Sequence, residues 1–192
     1  MILIKSTTWN QVFRDWEKRE GSNPDWIKCA TKIKGWPDWK SWRGFTAQQI
    51  GASAREWQIF RFTDPLAEIP EMLVGPFNSW QDKLSPKNKI PFAKLLTMSD
   101  KYQTFSQNKH VLSILDSLPF ATQFIGLRRN DLDKIVCLEG HHRAVAVTLA
   151  KLQKQDLNFS QTEITIALAN IPADESRILF DKVLSRGTSK NP

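Results

Sequence analysis

The sequence predicts an α+β protein: a small mixed sheet flanked by helices, preceded by a tryptophan-rich helical extension. Three observations carry that prediction. Seven of the eight tryptophans lie before residue 58, and the apolar residues around them recur at helical spacing. Beyond them, short runs with a period of two alternate with runs of helical period. One continuous apolar run, Ile135-Val136-Cys137-Leu138, then gives way to a helical pattern at a single glycine, Gly140.

Trp9, Val12, Phe13 and Trp16 follow the i, i+3, i+4, i+7 rule of one helix face, and Glu20-Gly21 stops that helix. Asn23-Pro24 reads as an N-cap with proline at the first helical position, and Trp26, Ile27, Ala30 and Ile33 form a second stripe ended by Gly35. Trp36, Trp39 and Trp42 fall on one side of a short third turn. This spacing predicts core packing, since short helices need large side chains to bury enough area. The competing reading is a surface on which a nucleobase or a single strand stacks.

Residues 56–62 alternate, with Trp57, Ile59 and Arg61 opposite Gln58, Phe60 and Phe62, and read as a strand. Pro70, Gly75-Pro76, Asn78-Ser79 and Ser85-Pro86 make 67–89 a turn-rich strap or lid. A short helix over 90–98 follows. Ser106 reads as the N-cap of a helix carrying Val111, Ile114, Leu115 and Leu118, which Pro119 ends. Phe124, Ile125 and Leu127 mark a strand that forms a hairpin with 135–138. Arg128-Arg129 at the turn reads as a solvated tip, with Asp131 and Asp133 shaping it. After Gly140 come an alanine-rich helix with Val145, Leu149 and Leu152, and a strand with Ile164, Ile166 and Leu168. Pro172 opens a last helix. The implied organisation is 1–56 as the extension, 57–185 as the α+β domain, and 186–192 as a disordered basic tail.

The net charge of +7 and pI of about 9.5 favour phosphate-bearing or acidic partners. No apolar run approaches the roughly 18 residues needed to span a bilayer, and no secretory signal is evident, so the expectation is a cytoplasmic protein with no membrane partner. Cys29 and Cys137 are too few for a disulfide framework, and with three histidines no metal site is expected.

The chemistry concentrates at Glu139-Gly140-His141-His142-Arg143. The first turn of a helix leaves backbone N–H groups unpaired, and with the helix dipole these attract anions. Gly140 allows close approach of a ligand. Arginine grips two phosphate oxygens at once, and histidine donates a hydrogen bond or moves a proton near neutral pH. The bland alternative is an ordinary helix start with both histidines solvated or capping. On the functional reading, Arg143→Ala would abolish nucleotide binding and leave the fold intact.

The stretch from Ile135 to Ala146 resembles the signature of the ParB/sulfiredoxin superfamily: apolar strand, glycine, two polar residues, arginine, alanine-rich helix. The resemblance covers roughly 64–171, with 64–70 set against that family's early strand-and-loop region. It implies a turn that binds nucleotide phosphates, with ATP or CTP as cofactor; magnesium commonly bridges phosphates in such sites. Gly140, His141, His142 and Arg143 would form the phosphate site. Glu139, His142 and the more remote Glu68 are the catalytic candidates for phosphoryl transfer or nucleotide hydrolysis. Two departures narrow it. His141 stands where sulfiredoxins carry cysteine, which argues against sulfinic-acid repair. Only one helix follows 169, which argues against a complete DNA-partition protein. Nucleic-acid binding and a non-catalytic module with the aromatic extension as partner surface stand as the rivals. His110 reads as a helix-surface residue.

Overall fold

A computed structural model of the chain describes residues 1–185 and Asn191. The tail expected to be disordered therefore lies, Asn191 apart, outside the described residues. The elements run β1 (Ile2–Thr7), α1 (Trp9–Glu20), α2 (Pro24–Lys28), α3 (Trp39–Gln49), β2 (Trp57–Arg61), α4 (Pro65–Glu68), α5 (Asn78–Gln81), α6 (Phe92–Leu95), α7 (Ser99–Ser106), α8 (Lys109–Asp116), β3 (Thr122–Arg129), β4 (Lys134–Glu139), α9 (His141–Leu152), β5 (Ile164–Ile171) and α10 (Ala173–Ser185). The strands make one five-stranded mixed sheet in the order β1-β2-β5-β3-β4. Only β3 and β5 run parallel; the other neighbours are antiparallel.

The sheet separates two cores. On one face Ile164, Ile166 and Leu168 of β5 join Phe62, Phe124 and the buried side of α8 and α9. On the other, Ala167, Ala169 and Ile171 meet Trp16, Trp39, Trp42 and the Leu179–Phe180 pair of α10. Alternation along β5 explains the split, because successive side chains point to opposite faces. Residues 144–150 of α9 are all buried. Its alanines let neighbours close in on every side, as a helix buried all round requires.

Trp16, Trp39, Trp42 and Trp57 are buried, so most of the tryptophan signal is packing. Trp57 also donates its indole N–H to the Ala52 carbonyl at 2.8 Å. Thr8, Asn23 and Asp38 cap α1, α2 and α3 through side-chain oxygens.

Several expectations need revision. The extension is not wholly helical: 2–7 form β1, an edge strand paired with β2 and exposed on both faces. A strand that buries neither face leaves no period in the sequence. The third turn is a full helix, α3, reaching Gln49. Ser106 ends α7, and Asn108 caps α8, accepting from His110 N and Val111 N. Residues 64–70 form α4 and a tight 3₁₀ turn, not a strand. Arg129 is no solvated tip. It is 4% exposed, ion-paired with Asp131 at 2.5 Å, bonded to the Asn88 carbonyl and stacked over Phe180. Among the described residues no helix is long and apolar enough to cross a membrane.

Candidate functional site

Strand β4 delivers Glu139 to the end of the sheet, and the chain turns into α9 within one residue. Gly140 makes that turn at φ +103°. An L side chain there would be strained, and its Cβ would sit 2.4 Å from a carbon of the Phe124 ring. No side chain caps α9. The first-turn N–H groups of His141, His142 and Arg143 find no acceptor among the described residues. The same three residues line a cavity of about 280 Å³.

Three parts of the chain wall this cavity. The junction supplies 138–143, the strap supplies Phe77, Ser79 and Trp80, and the extension supplies Glu20, Trp26, Cys29, Lys34, Trp42, Arg43 and Thr46. The tryptophan-rich helices thus cover one face of the sheet and close the site with the same residues.

The two histidines differ. His141 is 7% exposed and lies against Trp80, ring centroids 4.7 Å apart. Its Nε2 accepts from Gly75 N–H at 3.1 Å, which puts the ring proton on Nδ1, facing the Cys137 sulfur at 3.9 Å. The thiol in turn donates to the Glu139 carbonyl. Burial pulls His141 down to about 3, with the neighbouring His142, Arg43 and Arg143 adding to it. His141 is therefore a neutral strut between strap and strand, with both nitrogens engaged. His142 is half-buried at the cavity edge, between Trp80 and His110. Burial and then His110 lower it to about 4, so it too is neutral at physiological pH.

Arg143 lines the cavity, but its guanidinium is engaged by the protein. It folds back onto β3 and β4, pairs with Glu139 one turn away, bonds the Thr122 hydroxyl and the Gln123 carbonyl, and lies over Phe124. Burial pushes Glu139 up, but the Arg143 charge and hydrogen bonds from Glu20 and Arg143 hold it below its ordinary value. Glu68 is spent elsewhere. It accepts from Thr63 N, Asp64 N and the Thr63 hydroxyl, and pairs with the N-terminal ammonium at 2.7 Å. It is not among the residues lining the cavity.

Sequence reasoning missed Glu20 and Arg43. The Arg43 guanidinium is enclosed by tryptophans, 3.9 Å from the Trp42 ring and 4.8 Å from that of Trp16, and it pairs with Glu20 at 3.3 Å. Burial, then the Glu139 charge, pushes Glu20 up to about 7. A charged residue within a tryptophan stripe was the available signal: Arg43 follows Trp42 directly.

Comparison of the chain with protein-family models, characterised proteins and solved structures gives no match. The site must be argued from its own chemistry. Among the described residues, no group of three or more His, Cys, Asp or Glu side chains is arranged to hold a metal ion.

Proposed function

We propose that the chain binds a phosphate-bearing small molecule, a nucleotide such as ATP or CTP, in the cavity at the β4–α9 junction, on a fold of the ParB/sulfiredoxin type. The observation carrying this reading is the set of open N–H groups behind Gly140 at the mouth of an aromatic-walled cavity. A helix N-terminus with unpaired amides suits phosphate. Trp26, Trp42, Phe77 and Trp80 suit a flat ring. The volume, about 280 Å³, falls just below the roughly 300 Å³ at which small-molecule sites begin. That favours one nucleotide over a nucleic-acid strand.

The division of labour differs from the sequence expectation. The backbone after Gly140 holds the phosphate, His142 and Lys34 face it, and Arg143 fixes Glu139. Phosphotransfer or hydrolysis would draw on His142 and the Glu20–Glu139 pair for proton movement. Magnesium would enter with the phosphates.

Thermal stability with ATP, ADP, CTP and GTP, each with and without magnesium, tests the reading. A bound nucleotide at a hundred times its dissociation constant adds about 2.7 kcal/mol. The rise should occur for one nucleotide and shrink in His142→Ala, whose half-buried position leaves the fold in place. No rise with any nucleotide overturns the proposal.

A further inference from the structure

Glu20 ends α1 and Glu139 ends β4, so the extension and the sheet each bring a carboxyl group to the cavity wall. Both carboxyls line the one cavity, and each shifts the proton affinity of the other. Glu20 gives one oxygen to Arg43, and Glu139 gives one to Arg143. Glu139 Oε2 then stands buried, on a residue 6% exposed, with no donor reaching it. Two ionised carboxylates only accept and cannot satisfy it. One shared proton does, donated by Glu20 and accepted by Glu139, as in any close carboxyl pair where both members cannot ionise together. The orphan oxygen and the open amides of α9 are independent features of the same cavity.

The charges facing the pair are Arg43 from α3, Arg143 from α9 and Arg19 on α1 itself. Lys34 and neutral His142 line the same space. Each of the two nearest cations, Arg43 and Arg143, already has a carboxylate partner. An oxyanion at the first turn of α9 shares the cavity with both carboxyls.

We propose that the cavity takes its anion together with a proton: a dianionic oxyanion of the phosphate or sulfate type binds the form in which Glu20 and Glu139 share one proton. This inference rests on the phosphate-binding reading and adds its regulation. Removing one negative charge from the pair lowers the repulsion an incoming dianion meets in a partly dry site. By linkage, a bound anion must raise the proton affinity of the pair by the same factor. Binding therefore weakens as pH rises through neutrality, even for an anion whose own charge is constant.

The test is a pH titration from 5.5 to 9 of the full chain labelled with ¹³C at glutamate carboxyls, followed by NMR. It is run in saturating sulfate and in chloride of matched ionic strength, for wild type and for Glu20→Gln. Sulfate does not titrate in this range, so any shift belongs to the protein. The expected result is one glutamate pair titrating near neutrality in wild type and absent from Glu20→Gln, with a midpoint about one pH unit higher in sulfate, a tenfold preference for the protonated pair. No glutamate titrating between pH 6 and 8 in wild type overturns the inference without recourse to the variant. A midpoint that sulfate leaves in place also overturns it. The nucleotide panel then separates the two failures: binding that persists there keeps the phosphate reading, and its absence removes both.

Discussion

Replacing Arg143 by alanine strips the one cation ion-paired with Glu139 among the described residues, while leaving that carboxylate where it is, 7% exposed at its side chain. Among the described residues no cation or N–H reaches Glu139 Oε2, and Oε1 would lose its partner too, leaving that carboxyl only what Glu20 can donate. Breaking a buried pair by removing one member costs about 3–5 kcal/mol. The bonds to Thr122 and Gln123 go with it. The cost depends on pH, and the sign follows from Glu139. Burial raises its pKa, but Arg143 and the hydrogen bonds bring it below the ordinary carboxylate value, so in wild type the pair stabilises above that value and fades as pH falls. Without Arg143 burial is opposed only by the weaker effects of Glu20 and Arg19, so the folded pKa rises and the penalty grows with pH above the unfolded value. Urea denaturation at pH 7.5 and pH 5, read as midpoints at constant slope, measures both. Arg143→Ala should lose about 3 kcal/mol or more at pH 7.5 and distinctly less at pH 5. The double variant Glu139→Leu with Arg143→Met should return to within about 1.5 kcal/mol of wild type, as matched apolar replacements do. A loss below about 1 kcal/mol at pH 7.5, or one equal at both pH values, refutes the reasoning. It would also restore the sequence-based view of Arg143 as a ligand residue that the fold can spare.

Gly140→Ala should cost about 2–4 kcal/mol in the same assay, because a left-handed alanine costs about 1–2 kcal/mol and overpacking Phe124 adds a similar amount. His141 and His142, lowered by burial to about 3 and about 4, make the fold acid-labile: their stabilising effect is full above pH 6.5 and drains as pH falls toward 4. Histidine NMR should show two rings that stay neutral at pH 5.5, and a ring titrating near 6.5 at either position would contradict the burial argument. Glu20 works the other way, since burial and the Glu139 charge raise it to about 7, so its burial destabilises progressively between pH 4.5 and 7. Glu20→Gln should gain about 3 kcal/mol relative to wild type on going from pH 5 to pH 8, at about 1.4 kcal/mol per pKa unit; a pH-independent difference would disprove the raised pKa.

The elements with strong period were legible in the sequence. α1, the β3–β4 hairpin and β5 each carry a core face on regular spacing and lie where it put them, whereas α9 is buried on every side over 144–150 and Leu152, the last residue of its expected stripe, is exposed. What failed to show was whatever depends on a distant partner. β1 has no buried face, so nothing in Ile2-Leu3-Ile4 announces that it pairs with β2. Arg129 looks like any loop arginine until Asn88, 41 residues away, presents its carbonyl. Gly75 reads as a turn glycine, yet it is required by close approach: a Cβ there would lie 2.1 Å from the Cys137 carbonyl oxygen. The junction itself was visible, because a strand, a glycine and a helix meet within a few residues. The roles within it were not, since the paths of Arg143 onto Thr122 and of His141 onto Gly75 are set by chain 21 and 66 residues away.

The tryptophan-rich helices follow from the same geometry. β5 presents alanine at 167 and 169 to the face they cover, and small residues leave a depth that only large side chains fill. Trp16, Trp39 and Trp42 fill it, and in doing so they enclose Arg43 over their rings. A guanidinium so enclosed needs a carboxylate, and Glu20 supplies it. That requirement brings Glu20 against Glu139, where two acids must share a proton or repel. The acid pair is thus a consequence of how the sheet is covered, and the cavity inherits its pH dependence from packing on the face opposite α9.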